Sequence, residues 1–251
     1  MRRDYAIEKV LLIGATSAIA HEVAKHFARE GASLCLVGRS EDKLESVAKD
    51  LRVRGAKAVS FIVQDLTMVD RHEAVLRQAV DYLEGLDAAL IAHGQLPNQR
   101  AVENDPSAIL RAFSVNCLSV LSLVTLIGEY FGAQNRGILA VISSVAGDRG
   151  RRSNYVYGAA KGAVDIFLDG LRVRFQQSGV TVLSIRPGLV DTPMTMAIKK
   201  NVLFATAHEV GEVIYHAMKA RKSVVYAPGF WKWIMLVIKL LPRRIFHKLP
   251  L

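Results

Sequence analysis

The amino-acid sequence predicts an α/β fold, a doubly wound parallel sheet of about seven strands with helices on both faces. Three observations predict it. A chain of 251 residues is long for one ordinary domain but typical of a single doubly wound one. Short apolar, β-branched runs alternate along it with helix-length segments, the pattern of a parallel sheet covered on both sides. The first of these runs ends in a glycine turn that opens a helix, Gly14-Ala-Thr-Ser-Ala-Ile-Ala20.

The strand-like runs fall at 9–13, 33–37, 58–63, 88–92, 137–142, 181–185 and 223–226. The helix-length segments fall at 17–29, 42–54, 70–83, 107–130, 156–177 and 207–220. No linker, low-complexity tract or internal repeat breaks the alternation, so one domain over residues 1–226 is expected, followed by a tail over 227–251. With 51% of its residues apolar, the chain can bury a large core. Cys35 and Cys117 lie in apolar runs with no metal-ligand spacing, and read as small buried hydrophobes in a reducing compartment. No metal site is expected.

The N-terminus, MRRDYAIEKVLLIGATS, is basic, but its apolar run is only a few residues long and enters the glycine turn directly. It reads as a first strand rather than a signal peptide. No stretch reaches the ~18 uncharged apolar residues expected of a spanning helix. At the first turn Gly14 allows a tight bend, and Thr16, Ser17 and the backbone N–H groups supply donors for a dinucleotide pyrophosphate at a helix N-terminus. That context makes the expected fold Rossmann-like.

The second strand ends in Leu36-Val-Gly-Arg-Ser40. An acidic residue there would bond the 2′-hydroxyl of the adenosine ribose. Gly38 and Arg39 instead leave room for a 2′-phosphate and a guanidinium fork to hold it. NADP(H) is therefore expected over NAD(H), which stays open because Arg39 stacked on the adenine would suit either. After the third strand comes Gln64-Asp65-Leu66, where a bare Asp reads as a helix cap. The fourth strand ends in Ile91-Ala-His-Gly94, and a lone histidine such as His93 reads as structural. The fifth helix carries Asn116 in an apolar segment, a costly placement unless its amide is bonded.

The chemistry concentrates in ILAVISSVAGDRGRRSNYVYGAAK, residues 138–161. An apolar strand ends in Ser143 and Ser144, a basic loop follows, and Tyr157 and Lys161 stand four apart on one helix face. A lysine near a tyrosine favours the phenolate, lowering the Tyr pKa from roughly 10. Such a phenol donates a proton to a carbonyl being reduced, and Ser144 is placed to hold the reacting oxygen.

Together these residues resemble the short-chain dehydrogenase/reductase family over residues 8 to about 226. The resemblance implies an NAD(P)-dependent oxidoreductase acting on CH–OH or C=O groups. It carries catalytic roles to Ser144, Tyr157 and Lys161, and to Asn116 the role of holding a water that relays protons to the lysine. It carries cofactor contacts to Gly14, Thr16, Ser17, Ile19, Arg39, Asp65, Leu66, Gly94, Tyr157 and Lys161. Pro187, Gly188, Val190 and Thr192, in Arg186-Pro-Gly-Leu-Val-Asp-Thr192, match the segment that wraps the nicotinamide. Residues 194–204 take the place of the family's mobile substrate lid. Two departures stand out. Ala18 and Ala20 replace glycines of the first turn, and only Gly94 survives of the family's N-N-A-G.

The tail contains both tryptophans and five Lys or Arg residues, with no acid after Phe230. Aromatic and basic residues in that mixture suit the headgroup region of an anionic membrane. An arm packed on a partner subunit is the ordinary alternative. The net charge of +10 calls for an anionic partner, yet no RNA- or DNA-binding motif accompanies it, so no nucleic acid is expected. Residues 143–251 resemble more closely the polyprenylphosphoryl-2-keto-sugar reductases of the family. That likeness implies a lipid-linked sugar substrate, a flavoprotein oxidase partner and a cytoplasmic location, peripheral at the inner face of the cell membrane. A sterol, acyl-chain or soluble carbonyl substrate is the alternative. An inactive nucleotide-binding module is a further one, opposed by the complete Asn116, Ser144, Tyr157 and Lys161 set. Helices 107–130 and 156–177 suit subunit packing, so a homodimer or homotetramer is expected.

Overall fold

In a computed structural model, residues 6–246 and 248 are described. The first half runs β1 (Lys9–Ile13), α1 (Ala18–Arg29), β2 (Ser33–Gly38), α2 (Glu41–Val53), β3 (Ala58–Val63), α3 (His72–Leu83) and β4 (Ala88–Ile91). The second continues with α4 (Gln99–Val102), α5 (Pro106–Phe113), a π-helical turn (Ser114–Leu118), α6 (Ser119–Gln134), β5 (Arg136–Ile142), α7 (Tyr155–Arg174) and β6 (Gly179–Pro187). Two short strands, β7 (Val190–Asp191) and β8 (Ala205–Thr206), pair beyond β6. The order then closes with α8 (Ala207–Lys219), β9 (Val224–Ala227), α9 (Trp231–Leu240) and α10 (Arg243–Phe246).

The main sheet has seven strands in the order β3-β2-β1-β4-β5-β6-β9, every pair parallel. This is the doubly wound, Rossmann-like sheet that the sequence predicts. Alternate strand residues face opposite layers, as the two-residue strand period requires. Val10, Leu12, Leu34 and Leu36 join the core beneath α1, α2 and α8. Leu11, Ile13, Cys35 and Val37 join the core beneath α3, α6 and α7. Both cysteines are buried and free.

Chain order reverses between β1 and β4, and the crevice beyond the carboxyl ends of strands at such a switch point is where ligands bind in this architecture. The glycine turn after β1, Arg39 after β2, Asp65 after β3, His93 after β4 and Ser144 after β5 all emerge on that edge.

Two features differ from the sequence reading. The segment expected as one helix over 107–130 is interrupted by the π-helical turn that contains Asn116. The helical run Pro106–Gln134 is apolar and long enough to cross a membrane by composition, but Val120, Leu123, Val124, Ile127 and Phe131 are buried in the α3/α6/α7 core. The tail, in turn, is helical and folds back. Trp231 and Met235 are buried against Val145, Leu189 and Tyr226, leaving Trp233, Val237 and Leu240 exposed. Residues 247 and 249–251 of the tail lie outside the described residues.

Candidate active site

The crevice begins at the turn after β1. Gly14 has φ +80° and packs so closely on β4 that a Cβ there would stand 2.5 Å from the His93 backbone nitrogen. The Gly14 and Ala15 amides donate to the Val37 carbonyl, at 2.8 and 3.0 Å, which fastens the turn to β2. Ser17 caps α1 without a side-chain bond to the helix. The first amides of α1 are thus left for an anion, with the positive end of the helix dipole behind them. Thr16 is exposed, Ser17 and Ile19 are half-buried, and the donor set fits a pyrophosphate. Ala20, where the family carries glycine, is fully buried in the α1 face of the core, so its methyl points away from the crevice.

Along the same edge, Arg39 is exposed at the end of β2. Asp65 accepts from the Thr67 amide and hydroxyl, both at 2.9 Å. Those two bonds, with Arg39 nearby, hold its carboxyl below the usual range. Leu66 is buried, and its carbonyl accepts from His72 Nε2 at 3.0 Å. After β4, a Cβ on Gly94 would lie 2.9 Å from Asn116 Oδ1 and 3.7 Å from Lys161 Nζ, so the missing side chain keeps this end of the crevice open.

Asn116 is fully buried with its amide satisfied. Oδ1 accepts from the Gln95 amide at 2.9 Å, and Nδ2 donates to the Ala112 carbonyl at 3.0 Å. The π-helical turn widens the helix at this point, and the side chain ties it to the loop after β4.

Ser144 follows β5 by two residues in an extended conformation, and its hydroxyl accepts from the Ala146 amide at 3.1 Å. Tyr157 lies in the first turn of α7 and Lys161 one turn further on. The three side chains gather as the spacing predicts. Their electrostatics do not follow the prediction. Lys161 is 2% exposed, its ammonium donates to the Ile142 carbonyl at 2.9 Å, and it sits 5.8 Å from the Tyr157 ring centroid. Burial pushes the Tyr157 phenol up to about 12, opposed by its bond with Ser144. Burial also pushes Lys161 down to about 8, opposed by Asp165. Burial therefore decides the state of the phenol, and Tyr157 carries its proton at neutral pH. A loaded phenol is the state that carbonyl reduction needs.

The short chain dehydrogenase family model matches residues 8–203. The chain belongs to that family. It is accordingly an NAD(P)-dependent oxidoreductase. An uncharacterized oxidoreductase of Mycobacterium tuberculosis is 32% identical over 98% of this chain and 99% of its own length. An uncharacterized oxidoreductase of Streptomyces coelicolor is 31% identical over 96% and 95% respectively. A crystal structure of a variant actinorhodin polyketide ketoreductase with NADPH superposes with a TM-score of 0.78 at 22% identity, covering 89% of this chain and 97% of that one.

Behind Ser144, Tyr157 and Lys161 lies a buried network that the sequence reading missed. Asp165, one turn after Lys161, accepts from Ser143 Oγ at 2.9 Å and from Ser184 Oγ, with Arg186 Nε at 3.4 Å. Arg186 also pairs with Asp148 at 2.8 Å, and Tyr226 donates to the same carboxylate at 2.8 Å. An aspartate midway along a mostly apolar helix was the available signal. The network fixes Ser143, next to Ser144, and Asp148 in the loop before Tyr157.

On the far wall, the Gly188 amide donates to the Ala227 carbonyl at 3.1 Å, Pro187 and Val190 are buried, and Thr192 caps a short turn with Thr195. Met194, Met196 and Val202 of the expected lid are exposed.

Proposed function

We propose that this dehydrogenase works as a reductase, transferring hydride to the 2-keto group of a polyprenylphosphoryl furanose in cell-envelope polysaccharide synthesis. The observation that carries this reading is the apolar and basic surface beside the crevice. Trp233, Val237 and Leu240 are 64%, 61% and 74% exposed on α9, with Lys232, Lys239, Arg243 and Arg244 exposed among them. Exposed apolar residues of the lid lie in the same half of the chain. An aromatic and cationic face suits the headgroup layer of an anionic bilayer, where a lipid-linked sugar is anchored. SSVAGDRGRRSNYVYGAAKG, RPGLVDTPM and the tail resemble decaprenylphosphoryl-2-keto-ribose reductase, which works after a flavoprotein partner has oxidised the ribosyl hydroxyl. The enzyme then sits at the cytoplasmic face of the membrane as a homodimer or homotetramer.

When bound, the reduced dinucleotide supplies the hydride. The turn at Gly14 and the α1 N-terminus hold its pyrophosphate, Asp65 and Leu66 line the adenine end, and Arg39 holds a 2′-phosphate, which favours NADPH. Pro187, Gly188, Val190 and Thr192 flank the nicotinamide. Ser144 fixes the ketone oxygen, and Tyr157 donates its proton to that oxygen as the carbonyl carbon is reduced. Lys161 holds the nicotinamide ribose and favours the phenolate left behind, and Asn116 holds the relay that restores the proton.

The test is NADPH and NADH oxidation with membrane extract whose polyprenylphosphoryl ribose has been oxidised by a flavoprotein oxidase. Turnover is expected with wild type and a fall of at least about 100-fold with Tyr157→Phe, cofactor affinity being kept. Retained activity in Tyr157→Phe sinks the catalytic assignment. Dinucleotide binding without oxidation sinks the lipid-sugar substrate, and a screen of sterol, acyl-chain and soluble ketones then replaces it.

A further inference from the structure

The loop between Ser144 and Tyr157 is held from two sides. On the inner side Asp148 is locked by Arg186 and Tyr226. On the outer side the next residue, Arg149, reaches the C-terminus of α9. Its Nη1 donates to the carbonyls of Ile238, Lys239 at 3.3 Å and Leu241 at 2.8 Å. Its guanidinium also lies 3.9 Å from the Phe246 ring centroid. The last carbonyls of a helix have no intrahelical donors and carry the negative end of its dipole. A guanidinium, with several donors on a flat face, meets both needs at once.

The other end of α9 rests on the opposite wall of the crevice. Trp231 is 4% exposed, and a Cβ on Gly188 would fall 1.9 Å from its Nε1, so the indole lies flush on the loop that flanks the nicotinamide. The indole N–H has no hydrogen-bond partner among the described residues. One helix therefore touches the proton-donor loop at its C-terminus and the nicotinamide loop at its N-terminus. Val145, Leu189 and Leu203 pack into the same apolar cluster.

We propose that Arg149 is a positioning residue. By capping α9 and stacking on Phe246 it makes the C-terminal helix an outer wall of the active site that holds both loops in register. Arg149 itself touches neither substrate nor cofactor. The inference rests on the reading that residues 187–192 flank the nicotinamide. It is independent of which ketone is reduced.

The sequence's only two tryptophans, Trp231 and Trp233, both lie on this helix, which gives a readout separate from activity. In the full-length Trp233→Phe protein, Trp231 is the sole tryptophan and reports the seating of α9 through its emission maximum and quenching by acrylamide. Arg149→Met in that background keeps an apolar stem and removes every donor. The expected result is a red-shifted, more readily quenched Trp231 and NADPH binding weakened about tenfold by calorimetry, with Arg149→Lys recovering part of both. If Arg149→Met fails to fold, Phe246→Leu removes the stacked ring alone and is expected to shift both readings the same way. Unchanged quenching and unchanged affinity overturn the proposal. A Trp231 shift with full NADPH affinity also overturns it, because the helix then does not hold the nicotinamide loop. A parent protein that binds neither NADPH nor NADH sinks the cofactor reading instead, and Trp231 quenching still decides whether Arg149 seats the helix.

Discussion

Replacing His93 by Gln should flatten the acid side of this protein's stability profile. His93 Nε2 lies 2.8 Å from Ser119 Oγ. The Ser119 hydroxyl directs its one proton to the Val115 carbonyl at 2.9 Å, so towards the imidazole it only accepts. Nε2 therefore carries the proton, and Nδ1 is a lone pair shielded from solvent and without a partner among the described residues. Protonating Nδ1 would create a buried cation with no acceptor, near Lys161 and Arg39. Burial first, then the Lys161 charge, pushes the group from 6.5 down to about 3. A histidine whose folded pKa is depressed binds fewer protons folded than unfolded between those two values. Stability thus rises with pH through that window and is lost as pH falls below about 6.5. Between pH 7 and pH 5 the full shift corresponds to about 2 kcal/mol, at about 1.4 kcal/mol per pKa unit. Because the ring is half-buried rather than wholly enclosed, roughly 1–2 kcal/mol is expected. The assay is urea unfolding of wild type and His93→Gln at both pH values and constant ionic strength, comparing the pH-dependent loss rather than absolute stability. Carboxylates and the other histidines contribute equally to both proteins and cancel. Equal losses in the two proteins would refute the tautomer argument.

Other substitutions test other parts of the crevice. Asn116→Leu leaves the Gln95 amide without its acceptor and should cost about 1–3 kcal/mol in urea unfolding; a neutral result would mean that the loop finds another partner. Arg39→Asp places a carboxylate where a 2′-phosphate is expected, so calorimetry should show NADPH affinity falling about tenfold or more while NADH gains. Equal loss for both nucleotides would return Arg39 to stacking on the adenine. Gly14→Ala combines φ +80° with a Cβ 2.5 Å from the His93 backbone. It should cost about 1–3 kcal/mol and weaken binding of either dinucleotide, a loss absent if β1 and β4 can part.

Much of the fold was legible because a buried parallel strand leaves a plain trace. β1 and β3 start and end where their apolar runs do, and the other strands of the main sheet differ by at most two residues at either end. The gathering of Ser144, Tyr157 and Lys161 was legible because they lie within eighteen positions, one just after a strand and two on one helix. What escaped is what only three dimensions bring together. Asp165, Arg186, Asp148 and Tyr226 belong to four segments, and nothing in any one of them names its partners. The tail reads as a membrane-surface segment or a subunit arm, and its composition does not say which of its aromatic residues turns inward. The burial of Trp231 depends on a bare Gly188, which a linear pattern cannot show. The expectation of a lowered Tyr157 pKa failed because spacing fixes which groups are neighbours but says nothing of how dry their surroundings are.

The contact of Gly14 with His93 also bears on the order in which the molecule assembles. It lies at the seam between β1 and β4, where Val10 pairs with Ala88 across two intervening strand–helix units. Closing so long a loop is slow compared with forming any one helix, and parallel pairs have no hairpin to start from. The turn at Gly14, where the dinucleotide is proposed to bind, therefore cannot take its final shape on a half-folded chain. A dinucleotide meets its site only after the seam has closed, so it acts as a latch and not as a template. Adding it should slow unfolding while leaving the refolding rate unchanged.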